Sequence, residues 1–260
     1  MTILEQIVAK TKERVERAEQ IEPTSAIRER VLALPKGDFA FENALKKPGI
    51  SFICECKKAS PSRGVIASDF PYVEIAREYE AAGADCVSVL TEPHWFLGRD
   101  DYLREIASTV SIPCLRKDFV VDERMIFEAR ELGAKAILLI CSVLDNRALR
   151  RCVELCDELG LSALVETRDE TEIKKALDAG ARVVGVNNRN LRDFTMDFER
   201  GRRLRSLVPD DVLYVSESGI QTRADVSRLQ EVGVDAVLIG ETLMKAPDKK
   251  AKLAELKGLQ

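Results

Sequence analysis

Helical segments followed by short apolar runs recur along the chain. Five times a glycine separates the two, and the runs after it are ADCVSVL, AKAILLI, LSALVE, ARVVGV and VDAVLIG. The glycines are Gly83, Gly133, Gly160, Gly180 and Gly233. Glycine commonly ends a helix, and short runs rich in Val, Ile and Leu are typical of buried strands. The pattern therefore predicts a repeated helix–strand unit.

Three further runs complete the series. SFICECKK precedes the first glycine, IPCLRKDF follows residue 111, and DVLYVSES follows residue 210. The eight predicted strands end near residues 55, 91, 117, 140, 166, 187, 217 and 240. The mean step is about 26 residues, enough for one strand, one helix and two loops. Amphipathic segments lie between continuously apolar strands, so we predict an α/β fold, a (β/α)8 TIM barrel.

The chain of 260 residues is long enough for two ordinary domains or for one barrel. Eight units use residues 49–246, which favours a single barrel domain over residues 1–260. Residues 3–20 read ILEQIVAKTKERVERAEQ, where apolar residues recur at helical spacing, and we predict an N-terminal helical extension over residues 1–48. Residues 247–260 are expected to form a charged C-terminal tail.

The composition of the chain limits the classes of binding partner and the cellular compartment that we expect. Hydrophobic residues make up 45% and charged residues 32%, so a full core is expected. The 40 basic and 44 acidic side chains leave a net charge of −4, without the basic excess that nucleic acid or an anionic membrane would require. Seven cysteines lie mostly in apolar runs, and neither a signal peptide nor a membrane span is apparent. We expect a cytoplasmic protein that binds neither nucleic acid nor membrane.

Polar residues cluster where the predicted strands end, and the active sites of such barrels lie at that end. Glu55 and Lys57 are two residues apart and point to the same side of their strand. The other strand-end polar residues and glycines are Arg116, Lys117, Asp118, Glu166, Asn187, Asn188, Arg189, Glu217, Ser218, Gly219 and Gly240. Their convergence on one mouth predicts an active site. The single histidine, His94, argues against histidine-rich zinc sites and is expected in a solvated loop.

A phosphate site is predicted beside the last two strands. Ser218 and Gly219 follow strand seven and Gly240 follows strand eight, where barrels commonly bind phosphate through backbone N–H groups. Neither a P-loop nor a dinucleotide fingerprint is present. A small phosphorylated metabolite therefore fits better than a nucleotide. Trp95 and Phe96 could either stack on a ligand or pack beneath a loop.

Seven segments of the chain resemble, in order, the strand-end motifs of the indole-3-glycerol-phosphate synthase family. They are ECKKASPSRGVI, SVLTEPHWFLG, PCLRKDFVVDE, ALVET, VGVNNRNL, VSESGI and VLIGETLM. The N-terminal ILEQIVAKTKERV resembles that family's extra helix, so the likeness covers nearly the whole chain. The E-C-K-K-x-S-P-S and R-K-D-F segments are specific to this family rather than general to barrels.

The resemblance implies ring closure, decarboxylation and dehydration of 1-(2-carboxyphenylamino)-1-deoxyribulose 5-phosphate in tryptophan biosynthesis. It implies Lys117 as general acid and Glu166 as general base, without a cofactor or a metal. The implied catalytic residues are Glu55, Lys57, Lys117, Glu166, Asn187 and Glu217. The assignment of Glu55, Lys57 and Glu166 to the two halves of dehydration stays open. A monomer is expected rather than a homodimer.

The resemblance also implies which residues bind the small phosphorylated anthranilate–ribulose substrate. The implied substrate-binding residues are Ser60, Phe96, Phe119, Arg189 and Ser218. The implied phosphate-binding residues are Lys57, Ser218, Gly219, Gly240 and Glu241. Two departures from the family are visible, because Glu241 stands where serine is common and Arg99–Asp100 stand where Gly-Ser is expected. At position 241 we therefore expect the backbone N–H to serve the phosphate.

Three alternatives remain at this point. A strand-end lysine also suits a Schiff-base aldolase, with Lys117 as the nucleophile. A related barrel that isomerises or cleaves another phosphate of the same pathway is possible, although it would not need both Lys57 and Lys117. The non-enzymatic alternative is a barrel that only binds a phosphorylated ligand.

Overall fold

A computed structural model describes residues 1–190 and 195–259 of the chain. Eight parallel strands close into a barrel in which each strand pairs with the next one along the chain and the last pairs with the first. The strands are β1 (Ser51–Cys56), β2 (Cys86–Leu90), β3 (Cys114–Lys117), β4 (Ala136–Ile140), β5 (Ser162–Thr167), β6 (Val183–Asn187), β7 (Leu213–Glu217) and β8 (Ala236–Ile239). The predicted (β/α)8 barrel is confirmed.

Helices precede, surround and follow the strands. They are α1 (Ile3–Ile21), α2 (Thr24–Leu32), α3 (Ala40–Leu45), α4 (Tyr72–Ala81), α5 (Asp100–Thr109), α6 (Arg124–Glu131), α7 (Asn146–Leu159), α8 (Glu170–Asp178), α9 (Glu199–Leu204), α10 (Arg223–Glu231), α11 (Glu241–Met244) and α12 (Lys249–Lys257). A short 3-10 helix, Arg205–Leu207, follows α9. After β1 the chain forms a small antiparallel hairpin from Ala59–Ser60 and Gly64–Val65.

The strands are apolar on both faces because the two faces pack against different layers. In β4, Ala136, Leu138 and Ile140 belong to the cluster inside the barrel, whereas Ile137 and Leu139 pack against the surrounding helices. Successive residues of a strand point to opposite faces, so a continuous apolar run fills both layers. The side chain that ends each inward-facing series therefore lies at the mouth of the barrel.

The N-terminal helices contact both ends of the barrel. At the N-terminal ends of the strands, Phe41 and Leu45 of α3 are buried in the interior cluster. At the opposite end, Arg14 of α1 makes two 2.9 Å contacts with the Asp118 carboxylate, directly after β3. The predicted extension is therefore helical, and it joins the barrel through both apolar and ionic contacts.

The segment 247–260, expected above as a charged tail, contains the helix α12. Its Leu253 and Leu256 are fully buried, and the helix packs against α4 and α10. Two leucines three residues apart form a narrow apolar stripe that the surrounding lysines obscure in the sequence. This helix completes the ring around the barrel.

All seven cysteines are buried free thiols. Burial raises the pKa of Cys114 and Cys141 to about 12. These thiols are therefore protonated and pack as small apolar groups. In the described part of the chain, no helix has the length and apolar character needed to cross a membrane.

Candidate active site

A cavity of about 690 Å³ opens at the C-terminal ends of the barrel strands. All of the site residues expected from the sequence line it. They are Glu55, Lys57, Ser60, Phe96, Lys117, Phe119, Glu166, Asn187, Arg189, Glu217, Ser218, Gly219, Gly240 and Glu241. The structure therefore brings together residues that lie up to 186 positions apart in the chain (241 − 55).

The charged residues continue the inward-facing series of their strands. In β3, Leu115 lies in the interior cluster and Lys117 follows it on the same face, whereas Arg116 points outward. The Arg116 guanidinium is buried against Thr91, the Met125 carbonyl oxygen and Asp100. Of the three consecutive polar residues after Leu115, Lys117 is the one that continues the inward-facing series of β3.

Three carboxylates surround the Lys117 ammonium. Its Nζ lies 3.4 Å from Oε2 of Glu217, 3.8 Å from Oε2 of Glu166 and 4.0 Å from Oε2 of Glu55. Burial lowers the pKa of Lys117, but the three carboxylates outweigh this and raise it above its usual range. Lys117 is therefore a protonated ammonium, held at the floor of the cavity.

Glu217 differs from the other two carboxylates. It is buried, and neither of its oxygens accepts a hydrogen bond from the described residues. Burial, together with the negative charges of Glu166 and Glu55, raises its pKa to about 8 despite Lys117. Lys57 and Lys117 neutralise only two of the three carboxylates here, so the excess charge favours one bound proton.

Nζ of Lys57 lies 2.6 Å from Oε1 of Glu55 in an ion pair, and this pair packs against Gly240. A Cβ added at Gly240 would lie 2.2 Å from Oε1 of Glu55 and 2.8 Å from Nζ of Lys57. Glycine at the end of β8 is therefore required by the close approach of the pair. The ammonium of Lys57 offsets the burial cost of Glu55, whose pKa is lowered by Lys57 and Lys117 even though burial opposes this.

Asn187 joins Glu166 to Arg189. Its amide donates to Oε2 of Glu166 at 3.2 Å, and its carbonyl oxygen accepts from the backbone N–H of Arg189 at 3.0 Å. The next residue, Asn188, points out of the barrel and bonds Ser216, the Ser218 carbonyl oxygen and the Gly201 N–H. Asn187 is thus positioned for the ligand, whereas Asn188 holds the loops behind it.

One wall of the cavity is apolar. The rings of Phe96 and Phe119 lie 5.9 Å apart, and Leu138, Ile140 and Leu238 continue the wall. Phe96 is held by a turn in which the buried Glu92 carboxylate accepts backbone N–H bonds from residues 94–96 at 2.8–3.0 Å. Trp95 packs beside the interior cluster instead of lining the cavity, and His94 is exposed.

The opposite wall is basic and polar. Ser218 and Gly219 have φ values of 70° and 85°, which turn the chain away from β7 beside the cavity. Glu241 points into this corner, where its carboxylate contacts Arg63 at 3.1 Å, Arg189 at 3.6 Å and Lys245 at 2.7 Å. The expected phosphate region therefore contains a resident carboxylate with three cations.

Several lining residues were not expected from the sequence. Arg63 lies outside the strand ends and carries no spacing signal, whereas Lys245 follows Glu241 by four residues, a helical ion-pair spacing that could have found it. Gly185, behind the cavity, had a signal, because glycine inside a strand marks a close backbone approach. A Cβ there would lie 2.3 Å from Oε1 of Glu217, so this glycine makes room for that carboxylate.

Comparisons with known proteins match nearly the whole chain to one enzyme family. The family model for indole-3-glycerol phosphate synthase matches residues 4–256. An indole-3-glycerol phosphate synthase of Ruminiclostridium cellulolyticum is 52% identical over 257 residues, which cover 98% of this chain and 99% of that protein. One of Endomicrobium trichonymphae is 53% identical over 256 residues, covering 98% and 99% respectively.

A more distant likeness concerns the fold alone. The solved structure of thiamine phosphate pyrophosphorylase from Pyrococcus furiosus is similar with a TM-score of 0.62 at 16% identity. The match covers 84% of this chain and 96% of that chain. It supports the barrel architecture of the residues described here.

Proposed function

The chain belongs to the indole-3-glycerol phosphate synthase family of carboxy-lyases in tryptophan biosynthesis, and we propose how its mouth carries out the reaction. The proposed substrate is 1-(2-carboxyphenylamino)-1-deoxyribulose 5-phosphate, and the products are indole-3-glycerol phosphate, carbon dioxide and water. The observation that carries the proposal is the Lys117 ammonium, held among three carboxylates between an apolar wall and a basic corner. The aromatic ring of this substrate matches the apolar wall, its ketone matches Lys117, and its phosphate matches the basic corner.

Ring closure is the first step. The arylamine nitrogen pushes electrons into the ring carbon that bears the carboxylate, and this carbon attacks the ketone carbon. The ketone oxygen gains an electron pair and takes a proton from the Lys117 ammonium. The charges of Glu166 and Glu55, 3.8 and 4.0 Å from Nζ, hold the ammonium in place, and Glu217 lies beside it at 3.4 Å.

Decarboxylation and dehydration follow on the same carbon framework. Loss of carbon dioxide returns the bonding electrons to the ring and restores aromaticity, so the substrate is its own electron sink. The hydroxyl then leaves as water after protonation by Lys57, while Glu166 takes a proton from the neighbouring methylene carbon. Asn187, which donates to Glu166 at 3.2 Å, orients this base.

The two walls bind the rest of the substrate. Phe96 and Phe119 pack against the anthranilate ring, with Ser60 beside it on the hairpin loop. Arg189 offsets the negative charge of the substrate. The phosphate lies against Ser218, Gly219, Gly240 and the backbone N–H of Glu241, with Lys57 nearby.

The protonation of Lys117 argues against the Schiff-base alternative. An amine nucleophile must be neutral, and Schiff-base lysines are activated by surroundings that lower their pKa. Here the carboxylates of Glu217, Glu166 and Glu55 outweigh burial and raise the pKa of Lys117. These surroundings suit a proton donor.

We further propose that the enzyme works as a monomer in the cytoplasm. The expected site residues line one cavity within a single chain, and the seven buried free thiols are compatible with a reducing compartment. Light scattering coupled to gel filtration at assay concentration should give the mass of one chain. A dimer mass, with activity lost on dilution, would contradict the monomer.

The function is tested with the synthetic substrate in buffer that contains a chelator. Indole absorbance should rise, with one carbon dioxide released for each substrate consumed. Borohydride added during turnover should leave the mass of the chain unchanged. Substrate consumption without an indole product, or a trapped covalent adduct at Lys117, would contradict the proposal.

A further inference from the structure

The Glu241 carboxylate has no part in the reaction proposed above. It lines the cavity beside Ser218 and Gly219 and is about three-quarters buried, with 24% of its side chain exposed. Burial opposes its ionisation, but Lys245, Arg63 and Arg189 lower its pKa below the usual range. A negative charge therefore occupies the corner that is expected to hold the substrate's phosphate.

The cations of this corner are already paired. Nε of Arg63 lies 3.1 Å from one oxygen of Glu241, and a guanidinium nitrogen of Arg189 lies 3.6 Å from the other. A phosphate dianion entering here gains full attraction from these guanidiniums only if they leave the carboxylate. It is also repelled by the carboxylate itself.

Lys245 makes such an exchange feasible. It lies one helical turn after Glu241 and contacts the same carboxylate at 2.7 Å. The two arginines come from separate loops, after β1 and after β6, and the Arg63 side chain is 55% exposed. When the arginines turn to the phosphate, Glu241 keeps Lys245 as its partner and is not left as an unpaired buried charge.

We propose that Glu241 is an internal competitor of the substrate's phosphate, holding Arg63 and Arg189 until the phosphate displaces it. The inference rests on the proposed function for the identity of the phosphate ester. A small phosphate that contacts this corner alone bears the whole cost of the exchange. The complete substrate bears the same cost but offsets it with its aromatic ring and carboxylate, so Glu241 lowers the affinity for both ligands and leaves inorganic phosphate, which has no other contacts, only weakly bound.

Glu241→Gln tests the inference, because it keeps the size of the side chain and removes its charge. At fixed ionic strength, inorganic phosphate should inhibit this variant with a Ki about three- to tenfold lower than the parent's, and KM should fall in the same direction. Glu154→Gln is the matched control, since Glu154 is exposed on α7 and outside the cavity lining. Its Ki should stay within twofold of the parent's.

A binding measurement separates this inference from the proposed function. The melting temperature of each protein is measured in chloride and in inorganic phosphate. Phosphate should raise the melting temperatures of Glu241→Gln and Glu241→Ser by more than it raises that of the parent. An unchanged or smaller rise, or an unchanged or higher Ki, would overturn the inference. If the parent makes no indole-3-glycerol phosphate, the proposed function fails, and the melting experiment still decides whether Glu241 opposes phosphate.

Discussion

Two buried glutamates lie at opposite ends of the barrel, in surroundings that differ in kind. At the N-terminal ends of the strands, the Glu42 carboxylate accepts two N–H bonds from Arg182, at 2.9 and 3.0 Å. At the mouth, Glu217 accepts no hydrogen bond from the described residues and shares Lys117 with two other carboxylates. Buried polar groups are normally satisfied, so the pairing at the N-terminal end serves stability, whereas the unsatisfied oxygens of Glu217 at the mouth are typical of a site that receives a ligand.

Among the variants that test this comparison, Glu166→Gln is expected to have the largest effect. Removing the proposed base should lower kcat by about 10²–10⁴-fold. The melting temperature should fall little, because the amide oxygen of the introduced glutamine can still accept the hydrogen bond from Asn187. Steady-state assays and thermal unfolding of the same preparation check this. A kcat within tenfold of the parent's would remove Glu166 from the mechanism.

A change at the other end should affect stability and leave catalysis intact. Arg182→Met keeps part of the aliphatic stem but removes the guanidinium, which lies over the Phe39 ring and is the cation paired with the buried Glu42. Because Arg182 is 40% exposed, the expected loss is about 1–3 kcal/mol of unfolding free energy. Urea unfolding measures the loss, and kcat/KM should stay within twofold. A large fall in activity without destabilisation would contradict the assignment of stability to the N-terminal end of the barrel and of catalysis to its mouth.

A third effect depends on pH and concerns the proton on Glu217. Its pKa in the folded chain, about 8, lies above the ordinary 4.5, so its contribution to stability is full below pH 4.5 and is lost as the pH rises through 8. Glu217→Gln lacks this dependence. The melting temperature of the variant relative to the parent should therefore rise steadily between pH 5 and pH 9. A constant difference would show that the cluster holds no extra proton.

Much of the fold could be predicted because the repeat is local. Each glycine and the apolar run after it specify one helix end and one strand, and the strands end within one residue of the predicted positions. The helix α12 was missed because Leu253 and Leu256 are its only fully buried positions among lysines. The local sequence pattern therefore predicts the barrel strands better than it predicts α12.

The candidate site was predictable because the ends of parallel strands meet at one rim. Counting in twos from Leu115 also places Lys117 inward and Arg116 outward, as the structure has them. The contacts of Glu241 with Arg63 and Arg189 could not be derived this way, because both arginines approach from loops. The proton on Glu217 depends on its burial and on charges from three other strands, which no sequence spacing reports.

The central claim is that the Lys117 ammonium protonates the ketone oxygen during ring closure. Lys117→Ala tests it most directly, measured as indole-3-glycerol phosphate formation at saturating substrate. Lys174→Ala is the control, because Lys174 is 76% exposed on α8 and removes the same charge far from the expected site residues. We expect Lys117→Ala to lower kcat by about 10²–10⁴-fold and Lys174→Ala to leave it unchanged. A Lys117→Ala enzyme that stays folded and works within tenfold of the parent would contradict the account.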